Sequence, residues 1–178
     1  MAFLIKSRRI QNAGPYTRGS AVIDQLIQVS RAAKNLPQTT TEQLFRVYGG
    51  LIWVRALIGE VTTIIQSSDP VIKITAGRLD DAGALVGTVY DIASTLNISS
   101  DEVGSIYTVE GDGTAIISPQ LAGAGYMGAA ANGWIMPQGE IYLTTGASKT
   151  GALKWDLFYQ PLYAGAYAVA VDTATAAI

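Results

Sequence analysis

Two residue types are missing from this 178-residue chain, cysteine and histidine. Without cysteine there is no disulfide, no thiolate nucleophile and no thiolate-ligated zinc. Without histidine the chain lacks the commonest general base, the commonest transition-metal ligand and the side chain that titrates near neutrality. A Ser-His-Asp triad is excluded outright. Carboxylates, lysine and tyrosine remain, so catalysis loses its usual tools without being forbidden. The expectation is a non-catalytic protein with no catalytic residues, no cofactor and no metal.

Charge is also scarce. Charged residues make up 15% of the chain, against about 25% in ordinary soluble domains. Disorder does not follow, because it needs low hydrophobicity and this chain is 49% hydrophobic. The better reading is a surface partly covered by partners, since large exposed apolar patches are rare on monomers. Long apolar runs are lacking as well. The opening MAFLIKSRR reaches Lys6, Arg8 and Arg9 after a few apolar residues, unlike a secretory signal. The longest uncharged stretch, Gly113 to Gly139, is broken by Pro119, Asn132-Gly133 and Pro137, which suits loops and not a membrane span.

What charge there is divides the chain. Residues 1–46 hold seven basic residues against two acidic, and residues 47–178 hold five basic against twelve acidic. The asymmetry predicts a basic arm, residues 1–41, on a body, residues 42–178. The acidic whole argues against nucleic acid as a partner. Within the arm, Ser20 suits an N-cap. Val22, Leu26, Val29 and Ala33 recur at helical spacing, and Pro37 lies just beyond, so one α-helix is expected at about 20–34. Residues 1–19 read as extended. Phe3, Lys6, Arg8, Arg9 and Arg18 make them an apolar and cationic strip, suited to an acidic neighbour. A frayed terminus is the bland alternative.

Beyond Thr41 the apolar residues alternate. Strands are expected at 43–48, 51–56, 60–66, 71–76, 84–92, 105–109, 114–117, 140–145, 152–159 and 167–171, separated by Gly, Asp and Asn. Many short punctuated strands predict a mainly β protein, an antiparallel sandwich or barrel. Leu153, Trp155, Leu157 and Tyr159 share one face of their strand, and the turn residues of Gly146–Gly151 suggest an antiparallel hairpin with 140–145.

Three motifs resolve into bland features. Gly123-x-Gly125-x-x-Gly128 matches a dinucleotide fingerprint, but Asn132-Gly133 ends any helix that would follow it. Glu110-Gly-Asp112-Gly lacks the later ligands of a calcium loop and reads as a turn. Asp80-Asp81 and Asp101-Glu102 are sequence neighbours, whereas catalytic carboxylates face one another across a cleft. Trp53 and Trp155 lie in alternating apolar segments and are expected in the core. Trp134, in NGWIMP, is a candidate interface anchor.

Two stretches, GLIWVRALIGEVTTII at 50–65 and GEIYLTTGASKTGALKWDLFYQPLYAGA at 139–166, resemble virion structural proteins of tailed bacteriophages, head decoration (capsid cement) proteins among them. The resemblance covers roughly residues 45–170, and its motifs are structural. It implies a jelly-roll-like β-sandwich, made in the host cytoplasm and placed on the capsid exterior. It further implies a homotrimer that binds the major capsid protein and holds neighbouring shell subunits together, with neither membrane nor nucleic acid as partner. Rival readings are a tail, baseplate or fibre-base component, a carbohydrate-binding sandwich stacking sugar on Trp134 and Tyr126, and a carboxylate-only hydrolase.

Overall fold

A computed structural model describes residues 26–38, 40–67, 70–109 and 133–171. The described residues contain ten strands and no helix. In chain order they are β1 (Ile27–Asn35), β2 (Thr41–Tyr48), β3 (Ile52–Thr63), β4 (Val71–Leu79), β5 (Leu85–Asn97), β6 (Ile106–Val109), β7 (Trp134–Met136), β8 (Gly139–Thr145), β9 (Ala152–Pro161) and β10 (Tyr167–Ala170). They form two five-stranded sheets. Sheet A runs β1-β9-β3-β6, with β7 also on β3, and sheet B runs β10-β2-β8-β4-β5. All the pairings are antiparallel. The expected mainly β, sandwich-like body is what the described residues show.

The helix expected at 20–34 is not there. Residues 27–34 are extended in β1, and 20–25 lie outside the described residues. The period that governs is two: Ile27, Val29 and Arg31 turn inward while Gln28 and Ser30 face out. A four-turn helix is marginal alone, whereas β9 offers a ladder running from Ile27↔Tyr159 to Asn35↔Ala152.

The strands expected at 51–56 and 60–66 are one strand, β3, passing straight through Gly59. Gly59 is a packing slot and not a turn. A Cβ there would stand 2.8 Å from the Trp155 ring on the neighbouring strand, closer than carbon atoms approach without strain. The expected 140–145/152–159 hairpin is absent too. β8 pairs with β2 and β4 in sheet B, and β9 with β1 and β3 in sheet A. Gly146–Gly151 therefore carries the chain between sheets. The expected strand at 114–117 and both glycine-rich motifs lie outside the described residues.

Between the sheets lies one core. Ile52, Val54, Leu57, Trp155 and Leu157 contribute from sheet A, and Phe45, Ile74, Ile141 and Leu143 from sheet B. Polar side chains clamp the layers at the β1 edge. Arg31, on β1, donates to Glu42 of β2 at 2.6 Å and to the Val171 carbonyl at 3.1 Å. Both members of this pair are buried, at 2% and 8% exposure, and Lys34 meets the same Glu42 oxygen. The buried Tyr159 hydroxyl accepts from the Ala168 N–H at 3.1 Å, tying β9 to β10.

Candidate interaction surface

β5 is the outermost strand of sheet B, hydrogen-bonded to β4 on one side only. Its thirteen residues face nine on β4, and the register slips three times along the pair. The residues 84–91 are all exposed, so neither face of this stretch is covered by the described chain. Leu85, Val86, Val89 and Tyr90 stand open at 46%, 43%, 44% and 66%. Leu85 and Val89 lean over Gly77, where an added Cβ would lie 2.4 Å from the Leu85 Cδ1 atom. On the opposite face, Val86 pairs with Arg78 and Tyr90 with Ala76. Asp91, the next residue, is neutralised by Lys73 at 2.7 Å. The result is an uncharged apolar ribbon on a free sheet edge.

The outward face of sheet B continues as a polar and aromatic row. Glu140 is buried, accepts from Gln43 at 2.7 Å and from the Tyr142 hydroxyl at 2.5 Å, and meets Arg46 at 3.6 Å. Burial, and then the hydrogen bond to Glu140, push the Tyr142 phenol above its ordinary value, so it stays a donor. The Arg46 guanidinium lies 5.0 Å from the Tyr48 ring, which stacks on Tyr167 at 5.3 Å. Beside this row, Leu36, Gln38, Thr41, Gln43 and Tyr142 line a shallow groove of about 590 Å³. On sheet A, Asp156 accepts from Ser30, from Gln28 at 3.1 Å and from Lys154 at 3.2 Å. Burial opposes ionisation there, but these donors hold its carboxyl below the usual range. Among the described residues no three His, Cys, Asp or Glu side chains gather as metal ligands would.

The expected partner-binding residues divide in two. Phe3, Lys6, Arg8, Arg9 and Arg18 lie outside the described residues. Trp134 lies on β7, paired with Val54 and packed half-buried against the core, while its neighbour Ile135 is exposed. Trp155 is in the core as expected. Trp53 is half-buried on the outward face, under the Arg55 guanidinium at 4.1 Å. Asp80 makes a turn, accepting from the Ala84 N–H at 2.7 Å. Asp101 accepts from the buried Tyr107 hydroxyl at 2.6 Å. Sequence reasoning missed the β5 ribbon. The available signal was the uncharged run from Ala82 to Tyr90, with apolar residues on both faces, but a doubly buried strand reads identically.

No protein-family model matches the chain, and no curated protein matches it. A solved structure described as "Structure of infectious bursal disease virus Gx strain" is similar over 82% of this chain, with a TM-score of 0.35 and 8% identity; this chain spans 38% of that one's length. A superposition that loose is no basis for transferring a function.

Proposed function

We propose that this chain is a structural protein of a virus particle that works by gripping other protein subunits, and more finely that it decorates a tailed-phage capsid and cements its shell. The observation that carries the gripping role is the β5 ribbon: four large apolar side chains open to solvent within six positions of a free sheet edge. Contiguous exposed apolar surface of this kind marks contact sites. The virion setting rests on the two stretches that resemble phage structural proteins. They fall on β3 and on β8 through β9, strands that build the sandwich, so what they have in common with those proteins is architecture and not a reactive site.

The test is made on particles from the virus that encodes the chain. Mass spectrometry of purified virions should find it in many copies, and a density map should place it on the head. Particles lacking it should release DNA at lower temperature. Its absence from purified virions would refute the reading, and density on the tail or baseplate would refute the capsid assignment.

The stacked Tyr48–Tyr167 pair beside Arg46 favours a second reading, a carbohydrate-binding sandwich. Glycan-array binding that is lost in Tyr167→Ala would establish it, and a blank array would dismiss it.

A further inference from the structure

The β5 ribbon has a shape and charge that select its occupant. We propose that Leu85–Tyr90 is an interface between two copies of this chain, their β5 strands antiparallel across a twofold axis at Thr88. This goes beyond the virion reading and stands without it, since it concerns the isolated protein.

Three observations support a second copy. First, from Ala82 to Tyr90 the chain carries no charge, so the ribbon meets itself without like-charge repulsion, and a charged partner gains nothing along it. Second, the twofold arrangement is complementary in both side chain and charge. With Thr88 on the axis, Val86 faces Tyr90 of the partner subunit, and the two lie on the same face because their spacing is even. The same register turns the exposed Asp80–Asp81 tip of each copy toward the Lys73 end of the other. Third, the edge is free but irregular. Bulges blunt an edge against long intermolecular ladders, and the three register slips of β5 confine pairing to a short segment. Association therefore closes at two copies and does not run on into a fibre. A contact this small falls at the weak end of specific interfaces, with affinity in the micromolar range.

Because the chain has no cysteine, one introduced thiol reports position cleanly. Full-length Thr88→Cys should form a disulfide dimer under mild oxidation, and Thr150→Cys, exposed elsewhere on the molecule, should not. Sedimentation of the unmodified chain across low to high micromolar concentration should show a reversible monomer–dimer equilibrium. Val86→Asp with Tyr90→Asp should weaken that equilibrium at least tenfold while leaving the β spectrum and melting temperature of the monomer in place. A monomer at every concentration overturns the proposal, as does a trimer, or a dimer indifferent to the double substitution or cross-linked equally well at position 150. A large drop in monomer melting temperature also overturns it, because the ribbon would then be covered by the chain's own residues.

Discussion

Arg31 puts a full positive charge between two hydrophobic sheets, and the fold holds it by supplying the Glu42 carboxylate and the Val171 carbonyl. Removing one member of a buried pair leaves the other uncompensated, at a cost of about 3–5 kcal/mol. Arg31→Ala should therefore lower the urea midpoint strongly, with Lys34 softening the loss by its own contact to Glu42. Replacing Arg31 and Glu42 together by apolar residues should cost far less, since no orphaned charge remains. Gly59 tests packing in place of charge. Gly59→Ala drives a methyl into the buried Trp155 ring, and overpacking of this kind costs about 1–3 kcal/mol. In a Trp155→Phe background the added cost should shrink, and a double-mutant cycle measures that coupling. Asp156 sets an acid limb. Its carboxyl is depressed in the fold, so its stabilising contribution is present above the ordinary aspartate value of about 3.9 and is lost as pH falls through the folded value. Asp156→Asn should lower the urea midpoint at neutral pH, and the gap from the unmodified chain should close on acidification.

At the scale of elements, the sequence is most legible where one face is buried and one is wet. The strands around Thr41–Tyr48, Val71–Leu79, Gly139–Thr145 and Ala152–Pro161 follow period two closely enough to be read directly. β1 was hidden because Val22, Leu26, Val29 and Ala33 satisfy a helical spacing just as Ile27, Val29 and Arg31 satisfy an alternating one. The β9 edge decides between them, and no local pattern records that edge. The Gly146–Gly151 connection misled for a related reason: turn chemistry reports that the chain reverses, not which sheet receives it. Of the expected binding residues, the arm lies outside the described residues, and the β5 ribbon was illegible because exposure is not a property of composition. Gly77 makes that ribbon testable within one element. Gly77→Ala displaces the flexible end of Leu85, unlike the rigid indole at Gly59. It should cost under about 1 kcal/mol, as surface changes do, yet loosen any contact made through Leu85 and Val89. Sedimentation alongside a thermal melt separates the two effects.

At the scale of the whole molecule, the strands from β1 to β10 supply both sheets and the core between them, so deleting residues 2–19 should leave the sandwich folded, with an unchanged β spectrum and a melting temperature within a few degrees. If the arm grips an acidic neighbour, attachment of the deleted form to particles should fall, and the intact form should lose grip as salt rises, since exposed charge pairs are screened over about 8–10 Å at physiological ionic strength. β3 adds a property of another kind. It holds Val109 of β6 opposite Leu57 and Trp134 of β7 opposite Val54, so the chain leaves and rejoins one edge only three positions apart, about 10 Å along the strand. Both ends of whatever lies between are pinned by ladders that do not depend on its length. Closing a loop grows only logarithmically more costly, about 0.6 kcal/mol for each doubling. A peptide inserted near residue 120 that doubles the stretch from 110 to 132 should thus shift the melting temperature only slightly. That makes this edge the place where evolution, or an engineer displaying an epitope, can add and exchange sequence while the sandwich beneath stays the same.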